Sequence, residues 1–326
     1  MNIRWIKQEA EEIVNRGKEQ PRKILVRHTL ISLGVSILLA LMSELLDRFV
    51  SGGGGLNGMG TRAVVDTALV VLQLAGTVAM PFWTAGLLYA MLRYVNGDQV
   101  RTGDLAEGFR RFGSVLSSGL MMGVQYVVRG FVSVYISSVL VMMTPFAAPA
   151  YELSLMLEEN PSLDLMTANV EGLYGFYGAT VVIFLLVFAV LALPIYYRYR
   201  MVNYIIMDEP RVGGMKALLQ SRLMMYRRRL MLFRLDLSFW WFYLLELVLS
   251  ILSLGSLIAR FVGVELPIPA ELADWGLQLI AAAGHLLLYS WIGPKMELTY
   301  ALCYRQFLQP LERPVPQTPK NHPWTY

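Results

Sequence analysis

Six apolar stretches, each long enough to cross a bilayer as a helix, follow one another along this chain. A helix needs about 20 predominantly apolar residues to span roughly 30 Å of hydrocarbon. Helices are expected rather than strands because lipid offers no hydrogen-bond partner to an open strand edge. The predicted spans are His28–Leu46, Ala68–Leu92, one within Ser114–Phe146, Tyr174–Tyr197, Leu237–Ile258 and Gly276–Ala301.

The composition agrees with lipid as the surrounding medium. Of the 326 residues, 56% are hydrophobic and 16% are charged, and the mean hydropathy is +0.48. A soluble domain carries about 25% charged residues, which cover its surface. The pattern and the composition together predict an all-α, polytopic membrane bundle of six transmembrane helices arranged as three hairpins.

Lysine and arginine are distributed unevenly between the two sides of this predicted bundle. The segments at one side, 1–27, 93–111, 198–234 and 303–326, carry seven, four, nine and three basic residues, 23 in total. The connections at the other side carry three, namely Arg48, Arg62 and Arg260. Because basic loops stay in the cytoplasm, this bias predicts a multi-pass protein of the cell membrane with both termini in the cytoplasm.

An internal repeat relates the ends of the second and fourth predicted helices. At an offset of 110 residues, six of fifteen positions are identical. Tyr94 and Asp98 in the first copy match Tyr204 and Asp208 in the second. Each predicted hairpin also has a proline in its second helix, at Pro81, Pro194 and Pro294, where a kink is expected because proline removes a backbone donor. The sequence predicts a parallel repeat over about 81–113 and 191–223, and similar interfacial chemistry at two helix ends is the alternative.

Each copy of the repeat leads into an amphipathic segment at the basic side. In Gly103–Gly113, Asp104 is a predicted helix cap, and Leu105, Phe109 and Phe112 share one helical face. The longer segment, Val212–Phe233, combines apolar residues with a run of arginines. Such helices lie in the headgroup plane and attract anionic lipid. The predicted lipid- or partner-binding residues are Arg110, Arg111, Arg222, Arg227, Arg228 and Arg229, with topology control and packing as the alternative role.

A few ionisable residues fall within or beside the predicted spans. They are Arg129, Asp236, Glu246 and Lys295. Charges at bilayer depth are costly, so each is a candidate functional position. Glu246 and Lys295 are predicted to form a structural ion pair across neighbouring helices, or Lys295 to reach the surface, and a polar path lined by the two residues is the alternative.

No residue pattern points to a reaction. With one cysteine and three histidines, no intrachain disulfide and no zinc-type cluster of Cys and His can form. The motifs of zinc proteases, serine hydrolases and phosphate-binding loops are missing from the sequence, so we expect neither enzyme activity, nor a cofactor, nor a metal. The glycines at 52–55 predict a flexible linker, and the proline-rich tail at 309–326 is expected to be disordered.

The chain resembles a family of bacterial integral membrane proteins known as domain of unknown function 975. The resemblance runs from about Thr84 to Leu308. It rests on Gly86, on Asp104 to Gly113, on the exit motif Tyr199 to Pro210, on the run from Phe233 to Trp241, and on Pro294, Ala301 and Tyr304. The glycine of the family's turn before the exit motif is missing here, where Ile195 follows Pro194. The resemblance implies a multi-pass membrane protein but no substrate.

The sequence therefore predicts a cytoplasmic segment at 1–27, a membrane domain at 28–308 and a tail at 309–326. We interpret the protein as a membrane-embedded binding or assembly protein that engages anionic headgroups on the cytoplasmic side. A protein partner or a second copy is the alternative occupant, and nucleic acid is not expected. The alternative function is a transporter with a polar path near Glu246 and Lys295.

Overall fold

A computed structural model describes residues 3–16, 20–51, 59–159, 171–255 and 270–312. Throughout these ranges the chain is helical and contains no strand, as predicted. The α-helices are α1 (Ile3–Arg16), α2 (Gln20–Ser51), α3 (Met59–Val95), α4 (Glu107–Arg110), α5 (Phe112–Met142), α6 (Ala148–Glu159), α7 (Glu171–Tyr199), α8 (Val202–Asp208), α9 (Gly214–Met224), α10 (Arg229–Leu237), α11 (Trp240–Ser253), α12 (Ala270–Trp291) and α13 (Gly293–Glu312). Short 3₁₀ helices, η1 (Thr102–Ala106) and η2 (Pro145–Ala147), precede α4 and α6.

Within the described residues, four helices are long and apolar enough to cross a membrane. They cover Gln20–Leu45, Ala63–Val95, Phe112–Met142 and Gly175–Asp208, and the last of these continues from α7 into α8. Two bent pairs pass the same test when each is taken together: α10 with α11, bent by 66°, and the 275–308 part of α12 and α13, bent by 49°. The chain is therefore a helical membrane protein, and its described residues contain four to six candidate apolar spans.

The three prolines of the predicted hairpins behave differently. Pro294 lies in the first turn of α13, directly after the 49° bend, where its missing donor does not interrupt a helical ladder. Pro81 and Pro194 lie inside α3 and α7, and each of these helices continues past its proline. An interruption of the helix thus coincides with Pro294, and the kinks at Pro81 and Pro194 stay predictions.

The hydrophobic core lies at one end of the bundle, which we call the packed end. It joins α1, the start of α2, the last turns of α3, helices α8, α9 and α10, and α13. Large side chains there, such as Tyr204, Tyr300 and Tyr304, are fully buried. Away from this end α2 packs on α3, α5 on α7 and α11 on α12, while much of their apolar surface is exposed. Exposed apolar surface on this scale is stable only in contact with lipid.

The N-terminal segment forms a helix that the sequence analysis did not predict. In α1, Ile6, Ala10 and Val14 are buried at spacings of four residues, and the helix packs on α13. Lys7 Nζ donates a hydrogen bond to the Ser238 carbonyl oxygen at 2.8 Å and lies over the Phe239 ring. The spacing of four was a readable signal of an amphipathic helix, but the many charged residues of this segment obscured it.

The amphipathic segment predicted at Val212–Phe233 is two helices rather than one. Helix α9 ends at Met224 and α10 begins at Arg229, and Arg227 between them has φ of +64°. A left-handed residue cannot continue an α-helix, so the chain turns at this point. In the shorter segment, Asp104 was predicted to cap the helix from the position in front of it, but it lies inside η1. From there its carboxylate accepts a hydrogen bond from the backbone N–H of Arg101 at 2.7 Å.

Two glycines let the packed end of α3 touch the linker that follows it. A side chain at Gly86 would overlap the carbonyl oxygen of Leu105, and one at Gly108 would overlap the carbonyl oxygen of Phe82. The backbones of α3, η1 and α4 therefore approach more closely than any residue with a Cβ would allow.

Of the predicted tail, residues 309–312 belong to α13, and 313–326 lie outside the described residues, as does the predicted glycine linker at 52–55.

Candidate functional site

Helix α9 presents apolar side chains on two opposite faces. One face is buried against the bundle through Ala217, Leu218 and Met224. The other face exposes Met215, Leu219 and Leu223, which are 55–65% accessible and follow one another at intervals of four residues. Tyr226, 66% accessible, extends this row just beyond the helix. Packing among the described residues thus leaves a second apolar face of α9 exposed.

Basic residues flank this uncovered row. Lys216, Arg222 and Arg227 are exposed, and the Arg227 guanidinium lies 5.4 Å from the centre of the Tyr226 ring. We call Met215, Leu219, Leu223 and Tyr226, with Lys216, Arg222 and Arg227, the α9 surface. An apolar row with basic edges is the composition of a helix that lies in a membrane interface.

The structure separates the other predicted arginines by environment. Arg110 is exposed and pairs with Glu107 at 3.3 Å. Arg111 is almost fully buried and donates to the Ile206 carbonyl oxygen. Arg228 donates to the Phe307 carbonyl oxygen at 2.9 Å and lies against the Phe307 ring.

Arg111 and Arg228 therefore hold α5 and the α9–α10 turn to the rest of the fold and are not part of the α9 surface. This difference could not be predicted from the sequence because inward and outward arginines stand next to each other. Arg229 is half-buried, and its Nε atom has no hydrogen-bond partner.

The repeat residues occupy dissimilar surroundings. In the second copy, Asp208 accepts from the Tyr304 hydroxyl at 3.0 Å, and Tyr204 stacks on Tyr304 with ring centres 5.6 Å apart. In the first copy, Asp98 is half-exposed and lies 3.7 Å from Arg93 Nε. The Tyr94 hydroxyl is buried without a hydrogen-bond partner. The matched residues thus differ in their contacts, and the repeat stays a prediction.

Asp236 joins several tyrosines at the bend between α10 and α11. It accepts hydrogen bonds from the Tyr197 hydroxyl at 2.6 Å and from the Tyr300 hydroxyl. The Tyr300 hydroxyl lies 3.0 Å from that of Tyr243. Asp236, Tyr197 and Tyr243 line a groove of about 490 Å³ between α7, α10 and α11. The Asp236 carboxylate thus links the end of α10 to Tyr197 of α7 and to Tyr300 of α13.

The predicted pair of Glu246 and Lys295 does not form. Lys295 pairs with Glu11 of α1, and Glu246 accepts from the Tyr289 hydroxyl at 2.9 Å. The error arose because α1, which supplies the partner of Lys295, was not predicted. Since the transport alternative depended on this pair, we do not propose transport.

Arg129 lies within α5 and is half-buried. Its guanidinium donates to the Gln125 carbonyl oxygen at 3.0 Å, one turn toward the packed end. Gln125 in turn contacts the Tyr199 hydroxyl at 3.3 Å. Arg129 therefore directs its charge toward the interface, as long basic side chains do in membranes.

A basic cavity at the start of α2 was not predicted from the sequence. Lys23, Arg27 and Arg101 line it together with Tyr94, and its volume is about 400 Å³. The basic residues had been counted only for topology, and their juxtaposition with Tyr94 depends on how α2 packs against η1. Over the ranges that the structure describes, no group of three or more His, Cys, Asp and Glu side chains is arranged to hold a metal ion.

Comparison with known proteins identifies the family but no characterised relative. No curated protein and no solved structure matches the chain. The family model described as protein of unknown function DUF975 matches residues 1–310, which is more than the sequence resemblance covered. The chain belongs to this family of proteins of unknown function.

Proposed function

We propose that this protein is a six-span membrane protein that binds anionic lipid headgroups through the α9 surface at the cytoplasmic leaflet. In this arrangement each bent pair is one span, the spans form three hairpins, and both termini are cytoplasmic. The contacts of α2 with α3, α5 with α7 and α11 with α12 support the hairpins. The bias of basic residues supports the orientation.

The uncovered apolar row of α9 is the observation that carries the proposal. Its side chains need an apolar environment, and the packed end lies where the candidate spans end. A helix at that level buries such a row about 5–10 Å deep in the boundary between headgroups and acyl chains. Lipid therefore covers the face that the protein leaves open.

The basic edges of the row select the kind of lipid. Each lysine or arginine near an anionic leaflet contributes about 1 kcal/mol of attraction. Lys216, Arg222 and Arg227 together favour phosphatidylglycerol or cardiolipin over a zwitterionic lipid. The protein would then gather anionic lipid beside its spans, as a membrane assembly component does.

Native mass spectrometry of protein extracted in mild detergent tests the lipid proposal. The paired variant Arg222→Gln with Arg227→Gln should lose most of the anionic lipid that the wild-type protein retains. Arg110→Gln is the matched control, because that arginine is exposed but lies outside the α9 surface. Equal lipid retention in all three proteins would rule out the α9 surface as the binding site.

The same spectra test the alternative occupant of the α9 surface. A second copy of the chain covering the row would appear as a dimer that Leu219→Ser and Leu223→Ser dissociate. Such a dimer, with no retained lipid, would replace the lipid proposal with homo-oligomerisation.

The orientation has its own test. A tag fused after Tyr326 should stay protected from protease in intact cells and become accessible after lysis. Cleavage of the tag in intact cells would contradict the cytoplasmic termini.

A further inference from the structure

The cavity at the start of α2 has a basic lining. It lies between α2 and the linker that joins α3 to η1. Among the described residues, its charged lining side chains are Lys23, Arg27 and Arg101. A second cavity of about 360 Å³, lined by Arg22, Lys23, Val26 and Arg27, adjoins the same stretch of α2. Arg27 on α2 and Arg101 on the linker face one concave space, and two guanidinium groups there create a positive potential that attracts an anion.

Tyr94 adds a polar group that the fold leaves unsatisfied. Its hydroxyl is buried and has no hydrogen-bond partner, although the residue lines the cavity. The Asp104 carboxylate lies close enough to interact electrostatically with the Tyr94 hydroxyl. One oxygen of Asp104 accepts from Arg93 at 3.0 Å and from the backbone N–H of Arg101 at 2.7 Å. A phenol without an acceptor beside three cations indicates a missing oxygen-rich ligand.

The chemistry of the lining narrows the ligand to a phosphate group. Arginine presents a planar fork of donors that fits the oxygens of phosphate, and lysine adds a point charge. Arg27 also donates to the Thr102 hydroxyl, a contact that holds its guanidinium in the cavity wall. Several donors on different sides of the space suit a tetrahedral anion better than a planar carboxylate.

We propose that this cavity binds a phosphate monoester or inorganic phosphate through Lys23, Arg27, Arg101 and the Tyr94 hydroxyl. The phosphate group belongs to a lipid headgroup or to a soluble molecule. The site is separate from the α9 surface and does not require lipid to bind there. A phosphate bound in this cavity stabilises the contact between α2 and η1.

Calorimetric titration with inorganic phosphate, on the full-length protein in an uncharged detergent, measures the site directly. Tyr94→Phe keeps the ring and removes the hydroxyl, and it should weaken phosphate binding by about tenfold, because hydrogen bonds to charged groups are strong. Arg27→Gln with Arg101→Gln should weaken it by roughly 25-fold, at about fivefold for each lost cation. Arg222→Gln with Arg227→Gln should leave phosphate binding unchanged.

Native mass spectrometry with added phosphatidic acid or phosphatidylglycerol distinguishes the sources of the phosphate. A lipid site retains phosphatidic acid in the wild-type protein and loses it in Tyr94→Phe. A soluble-phosphate site binds inorganic phosphate while lipid retention is equal in both proteins. The proposal is overturned if neither inorganic phosphate nor phosphatidic acid binding changes in Tyr94→Phe and in the double variant. If lipid is lost only in the variant Arg222→Gln with Arg227→Gln, the result supports lipid binding at the α9 surface. Phosphate binding in the cavity is then decided by the calorimetric titration.

Discussion

Asp208 and Arg305 form a bidentate ion pair that joins the end of α8 to α13. Arg305 donates to both carboxylate oxygens, at 2.9 Å and 3.1 Å. The two side chains are 20% and 30% accessible, so water screens the pair only in part. Tyr304, one residue earlier in α13, donates to the same carboxylate. These contacts tie the last span to the chain segment that leads into α9.

Asp208→Asn should lower the free energy of unfolding by about 1–3 kcal/mol, because Arg305 loses its charge partner in a partly buried place. Its repeat counterpart gives a matched control. Asp98→Asn removes a half-exposed carboxylate, so its effect should stay within about 0.5 kcal/mol. Thermal unfolding in detergent measures both, and equal losses would mean that the two copies carry equivalent contacts.

Gly86→Ala and Gly108→Ala should both destabilise the packed end strongly. Each added methyl group would overlap a backbone carbonyl, and backbone cannot move aside as a flexible side chain can. Overpacking of this kind costs about 1–3 kcal/mol or more. Gly123→Ala in α5 is the control, because nothing lies within 4 Å of the new Cβ and alanine favours a helix. Expression level and unfolding temperature should separate these variants, and three similar curves would refute the close backbone approach.

Ile6→Ala tests whether α1 is an integral part of the fold. The side chain is fully buried against α13, and truncation of such a residue costs about 2–4 kcal/mol. Gln8→Ala, on the exposed face of the same helix, should change little. Should Ile6→Ala unfold at the wild-type temperature, α1 would not be packed as described.

Glu9 predicts a pH dependence of stability that originates in α1. Burial raises the pKa of Glu9 above its ordinary value of 4.5, and Glu12 raises it further. The folded state therefore holds this proton more tightly than the unfolded state. Its contribution to stability is present below pH 4.5 and is lost as the pH rises through the folded pKa.

Glu9→Gln removes this titration. The unfolding temperature of the variant, relative to wild type, should rise between pH 4.5 and neutral pH. A constant difference across this range would show that Glu9 has the same pKa in the folded and unfolded states.

The spans were predictable because apolar length is a strong and local signal. The predicted His28–Leu46 and Ala68–Leu92 lie within or close to the observed Gln20–Leu45 and Ala63–Val95. The helix ends were less predictable, because α2 and α3 extend beyond the apolar stretch as polar helix. In lipid the apolar stretch sets where a helix must exist, while contacts with the rest of the chain set where it stops.

The arrangement of charged side chains was much harder to predict. Lys295 pairs with a residue 284 positions away in sequence, and Arg228 bonds a carbonyl 79 positions away. No periodicity within a segment carries such information. The direction of an arginine at a tight turn, such as Arg228 beside Arg227, depends on a single backbone angle that composition does not reveal.

Because the core is concentrated at the packed end, this protein should tolerate bilayers of different thickness unusually well. The far halves of α2, α3, α5 and α7 bury few side chains, so the packed pairs α2–α3 and α5–α7 can each tilt as a unit as the hydrocarbon layer thins or thickens. The packed end would keep its geometry during such an adjustment. Any site built there would then hold its shape in membranes of differing acyl-chain length.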